Sequence, residues 1–158
     1  MKPVSGMASF GVVKVEDESE LFRSFLVTAS VGAARYGSPE VLLEEYLDGP
    51  EFSVESVASG GKVHPVAVTA KTTGPEPFFE EVSHLVPAPL PEETLEELKA
   101  LAAEATRALG IEYGSSHTEV KLTSRGPRVV EVGGRLAGDF IPRLVRLATG
   151  VDMVRASV

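Results

Sequence analysis

The chain reads as an α+β fold built on a mostly antiparallel sheet, and three stretches carry that reading. Residues 51–58 and 63–70 are strand-like runs on either side of Ser59-Gly60-Gly61-Lys62, a small-residue turn that folds them into a hairpin. Residues 115–122 and 128–133 form a second pair of strands around a short loop. Between the pairs lies a clear helix at 92–109. Prolines precede it, acids fill its first turn, Gly110 follows it, and Leu95, Leu98, Leu101, Ala105 and Leu109 recur near helical spacing. That apolar stripe is core packing without chemistry.

The remaining elements follow in order. Residues 1–4 read as the end of a strand, followed by a loop of small residues at 5–11 and a short strand at 12–15. Asp17 offers an N-cap for a helix at 18–36, with Leu21, Phe22, Phe25 and Leu26 on one face. An apolar strand at 41–46 ends in the turn Asp48-Gly49-Pro50, and Pro75, Pro77, Pro87, Pro89 and Pro91 mark a proline-rich stretch. A last helix is expected at 140–149, closed by Gly150, before a new apolar segment at 151–158. The pattern suggests a small lobe at 1–45 and a larger lobe at 46–158, with the sequence expected to continue beyond both ends. No repeat or low-complexity segment is visible.

Composition narrows the function. With 158 residues, 43% of them hydrophobic, the chain can bury a core. Fifteen basic against 23 acidic residues give a net charge of −8, the wrong sign for a general nucleic-acid or anionic-membrane binder. The lack of cysteine excludes disulfides, a thiol nucleophile and Cys-ligated zinc. Apolar runs are too short to span a bilayer, and the first residues lack the apolar core of a signal peptide. A soluble cytoplasmic protein is expected.

Glu119 and Glu131 are the most informative pair. If residues 123–127 form the loop of the second hairpin, Leu122 faces Arg128 and Glu119 faces Glu131. Facing residues have Cβ atoms about 4.5–5.5 Å apart, so two carboxylates there repel and call for a cation between them. A divalent metal fits; so does neutralisation by Lys121 and Arg135. A glycosidase pair also matches the distance, but the chain has no Trp and only 6% aromatic residues for stacking sugars. The loop carrying Ser5, Gly6, Ser9 and Gly11, with Lys2 before it, suits phosphate contact by backbone N–H groups and a point charge; it equally suits a plain hairpin turn. Glu44, Glu45, Tyr46 and Leu47, with Glu51 beyond, suit an adenine edge and a ribose, or a solvated strand edge. His84, among acids and prolines in a loop, is either a site residue or an exposed structural one.

In this order the segments resemble the ATP-grasp superfamily of ligases, and within it the bacterial L-amino-acid ligases of the bacilysin-synthesising type. The residues carrying the resemblance are Lys2-Pro3 with the small-residue loop, Glu44-Glu45-Tyr46-Leu47 with Glu51, Glu81-Val82-Ser83-His84 before Pro87, and His117-Thr118-Glu119-Val120-Lys121 followed by Glu131 and Arg135-Leu136-Ala137-Gly138. The resemblance implies an ATP-grasp fold closing on ATP and a C–N ligation through an acyl phosphate, with ATP and magnesium or manganese as cofactors and a small carboxylate and an amine as substrates. It implies that Lys2, Lys71 and the 5–11 loop meet phosphates, that Glu45 and Leu47 read adenine and Glu51 the ribose, and that Glu119 and Glu131 hold the metal. Arg135 would stabilise the phosphoryl group, and His84 and His117 would line the acceptor side. Gly133 stands where many members carry asparagine. The family also implies an amino-terminal domain with a further ATP lysine and allows a homodimer. A non-catalytic nucleotide-binding module and a biotin-carboxylase-like subunit are the rival readings.

Overall fold

A computed structural model describes residues 1–74, 76 and 79–158, so the expectations at Pro75 and Pro77 lie outside the described residues. The elements run β1 (Lys2–Pro3), α1 (Leu21–Tyr36), β2 (Val41–Leu42), β3 (Glu51–Ser59), β4 (Lys62–Thr73), β5 (Glu81–Leu85), α2 (Glu92–Ala108), β6 (Gly114–Thr123), β7 (Gly126–Gly133), α3 (Ile141–Thr149) and α4 (Met153–Ala156). This is the expected α+β fold. The chain divides into two compact units, Met1–Tyr46 with Thr73–Val82, and Leu47–Thr72 with Ser83–Val158.

In the first unit β1 pairs antiparallel with β2, setting Lys2 opposite Leu42 and Pro3 opposite Val41. The strand expected at 12–15 does not form. Met1 and Val13 exchange two hydrogen bonds, of 2.8 and 2.9 Å, which is too little for a ladder. Asp17 does cap, accepting from the Ser19 amide at 2.6 Å, but it opens a 3₁₀ turn at Glu18–Glu20 before α1. The face of α1 that turns inward is also not the one expected. Ser24, Thr28 and Gly32 are buried, while Phe22, Phe25 and Leu26 are exposed. Close approach explains this: Thr28 donates to the Gly11 carbonyl at 2.9 Å, and a Cβ at Gly32 would meet the Ser38 carbonyl oxygen at 2.5 Å. Only small residues fit beneath the chain that crosses there.

The second unit is built on a five-stranded sheet of order β5-β4-β3-β6-β7. Alternation along its strands separates two faces. Phe52 and Val54 of β3, Val68 of β4 and Val120 of β6 pack with Leu98 and Ala102 of α2 into one core, fully burying Val54, Leu98 and Val120. Over part of the opposite face, Ile141 and Val145 of α3 and Met153 of α4 cover Ala67. The rest of that face is polar and holds the site. Both faces of β3 and β6 are therefore buried, one by hydrocarbon and one by charge.

The β6–β7 connection departs from expectation in an instructive way. The loop is two residues, Ser124-Arg125, and not five, because Thr123 already pairs with Gly126. Leu122 thus faces Pro127, and not Arg128. A bulge then leaves Val130 unpaired and brings Glu119 opposite Glu131 after all. The predicted facing pair is real, and the bulge creates it. Gly49 pins the other end of the site's sheet. Its φ is +85°, and a Cβ there would overlap the Leu122 carbonyl. Asp48 meanwhile accepts from the Ser124 amide, so the turn before β3 is tied to the β6–β7 turn. Among the described residues no helix is long and apolar enough to cross a membrane.

Candidate functional site

Sheet register assembles the site within the second unit. Glu51, Ser53 and Glu55 point to the polar face of β3. Across them lie Lys71, Thr69 and Ala67 on β4, and Lys121, Glu119 and His117 on β6. Beyond β6 come Glu131, opposite Glu119, and Gly133, opposite His117. A period-2 polarity at the centre of a sheet thus stacks charged side chains where hydrocarbon would be expected.

Those charges form one connected network. The Lys71 ammonium, with its side chain fully buried, lies 2.6 Å from Glu119 Oε1 and 3.3 Å from Glu51 Oε1. His117 donates from Nε2 to the same Glu119 oxygen at 3.3 Å, and from Nδ1 to Glu55 Oε1 and Oε2 at 2.9 and 3.1 Å. Ser53 donates to Glu55 Oε1 at 2.8 Å. Burial works against a charge on the imidazole, but hydrogen bonds to Glu119 and Glu55, with the charges behind them, outweigh it and raise His117 to about 9. Burial also pushes the Glu119 carboxyl up, yet His117 and Lys71 overcome it and hold the group at about 2. In Glu51 burial prevails, raising the carboxyl despite Lys71.

Among the described residues, the hydrogen bonds and ion pairs of the Glu119 side chain fall on Oε1. Its Oε2, and both oxygens of the exposed Glu131, make no hydrogen bond or ion pair among the described residues. Among the described residues the basic groups bonded to Glu119 are Lys71 and His117, where the neutralisation reading expected Lys121 and Arg135. Arg135 instead donates to the Leu136 carbonyl at 2.9 Å and lies over Gly133, where an added Cβ would meet its Cγ at 3.4 Å. His84 sits on β5, not in a loop, with a ring nitrogen within 4.8 Å of an Asp139 carboxylate oxygen.

The other predicted residues lie in the first unit, apart from Leu47. Lys2 pairs with Glu44 at 2.9 Å. The loop after β1 turns through left-handed Ala8, Ser9 and Gly11, and the Tyr36 hydroxyl meets the Met7 backbone. Gly11, at φ +80°, has Val31 and Pro3 within 3.1 Å of any Cβ, so no other residue fits without displacement. Tyr46 donates to Glu76 at 2.7 Å beneath the Lys14 ammonium, which lies 4.5 Å from its ring. Glu45 and Tyr46 have left the strand expected at 41–46, because β1 offers β2 only two partners.

Comparison with known proteins agrees with this architecture. The family model described as an ATP-grasp domain matches residues 1–143. The chain belongs to the ATP-grasp family. An uncharacterized protein of Sinorhizobium fredii, y4rH, is 36% identical over 154 residues, covering 98% of this chain and 31% of its own length. Alanine–anticapsin ligase of Bacillus subtilis is 29% identical over 175 residues, covering 98% and 36%. The crystal structure of an L-amino acid ligase from Bacillus licheniformis superposes with a TM-score of 0.79 at 34% identity, covering 98% and 36%. The chain thus spans about a third of the length of the relatives it matches.

Within this ATP-grasp domain, sequence reasoning missed Ser53 and Glu55. Their signal was the strict polar alternation Glu51-Phe52-Ser53-Val54-Glu55, which places every second side chain on the face that carries Glu119. Lys14 and Glu76, ion-paired at 2.7 Å, were missed too, and only tertiary folding joins residues so distant in sequence. As a chemical device, the face offers two facing carboxylates with three uncommitted oxygens, hard donors suited to a small divalent ion. It has no activated nucleophile among its described residues.

Proposed function

We propose that the chain is the ATP- and magnesium-binding part of a ligase that joins a carboxylate to an amine. One observation carries this reading: Glu119, held ionised with Oε2 uncommitted, faces Glu131 across β6 and β7. Those two residues fit magnesium or manganese and would hold the ion. When bound, the ion would supply charge neutralisation for a transferring phosphoryl group. The likeness to amino-acid ligases supports the choice of substrates.

The protein's own groups would do the rest. Lys71 places an ammonium inside the carboxylate cluster, where it can turn from Glu119 towards a phosphate. Arg135, exposed beside Gly133, offers a second cation. In the first unit Lys2 and the 5–11 loop offer phosphate contacts, and Glu44, Glu45 and Tyr46, with Leu47 following, offer the adenine contacts; Glu51 would turn to the ribose. His84 would face the acceptor. A carboxylate oxygen of one substrate attacks the γ-phosphorus, the bond to the ADP oxygen breaks, and an acyl phosphate forms. The amine nitrogen then attacks the acyl carbon, loses a proton and expels phosphate. Positioning and electrostatics suffice for the first step, which agrees with a site lacking a nucleophile.

Oxygen tracing tests this reading. Purified protein is incubated with ATP, magnesium and amino acids carrying ¹⁸O in the carboxylate. The proposal expects ADP together with ¹⁸O-labelled inorganic phosphate. ADP with unlabelled phosphate would reduce it to an ATPase, and AMP with pyrophosphate would exclude the acyl phosphate.

A further inference from the structure

We propose that Glu55 and His117 act as a pair that positions the Glu119 carboxylate for a divalent metal. The inference rests on the metal reading just given and adds two positioning residues to it. Glu55 and His117 are 2% and 5% exposed, so both lie deep within the carboxylate network. What they touch decides their role. The imidazole bridges two carboxylates, Glu55 at Nδ1 and Glu119 at Nε2. Glu55 is fixed in turn by the Ser53 hydroxyl at 2.8 Å. The chain Ser53–Glu55–His117 therefore ends on one chosen oxygen, Oε1 of Glu119, and leaves Oε2 of a residue that faces Glu131 across β6 and β7 uncommitted.

Each ring nitrogen of His117 has a carboxylate partner, so the imidazole is held in one orientation and with it the Glu119 oxygen that it meets. Outer partners that orient a metal's ligands commonly change metal affinity by about 10- to 100-fold when removed. The bulge at Val130 adds the other half of the geometry, since without it Glu131 would not face Glu119.

Manganese binding to the whole chain, read as loss of the free Mn(II) electron paramagnetic resonance signal, tests the pair without turnover. Glu55→Gln is expected to raise the Mn(II) dissociation constant about tenfold or more. Ser53→Ala, which removes only the donor to Glu55, is expected to raise it roughly two- to fivefold and serves if Glu55→Gln does not fold. Leu98→Ala, a core change behind the sheet, loses stability but keeps wild-type affinity, which separates positioning from mere destabilisation. Glu131→Gln loses binding as a direct ligand should. If Glu55→Gln and Ser53→Ala bind Mn(II) as the wild type does while Glu131→Gln does not, the positioning role is wrong and the metal site stands. If Glu131→Gln binds like the wild type, the metal reading falls and takes this inference with it.

Discussion

Replacing Lys71 by Met probes the network at its most buried cation. The Met side chain fills similar volume but removes an ammonium that is 2.6 Å from Glu119 and 3.3 Å from Glu51 and has no solvent exposure. Two carboxylates are then left side by side, one held ionised and one already pushed up by burial. Breaking a buried ion pair by removing one partner costs about 3–5 kcal/mol. For a chain of this size each kcal/mol shifts the melting temperature by about 2–4 °C, so a fall of roughly 6–20 °C is expected. Magnesium should recover part of it, because the vacated position between acids now accepts the ion without competition; the magnesium-dependent rise in melting temperature should exceed that of the wild type. Circular dichroism melts in chelator and in magnesium give both numbers. A loss below about 1 kcal/mol, or a magnesium effect no larger than in the wild type, would refute the claim that Lys71 and the metal share Glu119.

Three further outcomes are expected. In chelator, stability should show a plateau between about pH 4.5 and 6.5. His117, raised to about 9, contributes fully below its unfolded value and loses its contribution as pH rises towards 9, while Glu119, held at about 2, loses its own as pH falls from 4.5 towards 2. The alkaline arm is worth up to about 3 kcal/mol, and His117→Gln should flatten it; a melting temperature that rises between pH 7 and 9 would contradict it. Gly49→Ala should cost about 2 kcal/mol or more in a denaturant titration, since it combines a left-handed φ with overlap on the Leu122 carbonyl; a change under about 0.5 kcal/mol would show that the turn can relax. Leu98→Ala should cost about 2–5 kcal/mol in the same titration, as a fully buried side chain facing the sheet.

Much of the sheet was legible because hairpins are local. The turns at Ser59–Lys62 and after Thr123 declare themselves through glycine and polar residues, and the strands between them alternate. The helix at Glu92–Ala108 was legible for the same reason, through its periodicity and its bounding proline and glycine. What failed was set by distant partners. The burial of Ser24, Thr28 and Gly32 instead of the phenylalanines of α1 depends on where β1 and the following loop cross the helix. The short loop and its compensating bulge each shift register by one, so pattern alone cannot tell their sum from neither being present. Pairing of Lys71 with Glu119, 48 residues apart, and of His117 with Glu55, 62 apart, requires the β4-β3-β6 order, which no local signal fixes.

On the proposed reading Glu119 and Glu131 together hold a divalent ion for phosphoryl transfer, and Glu131→Gln removes one of those two ligands without touching the buried network. Glu131 is exposed and has no partner among the described residues, so in chelator its loss should leave the melting temperature unchanged or slightly higher as repulsion from Glu119 is relieved. With magnesium and a non-hydrolysable ATP analogue, the wild type should gain stability and the variant should gain little. If Glu131→Gln keeps the full magnesium-dependent gain, the ion binds elsewhere and Glu119 and Glu131 are not its ligands.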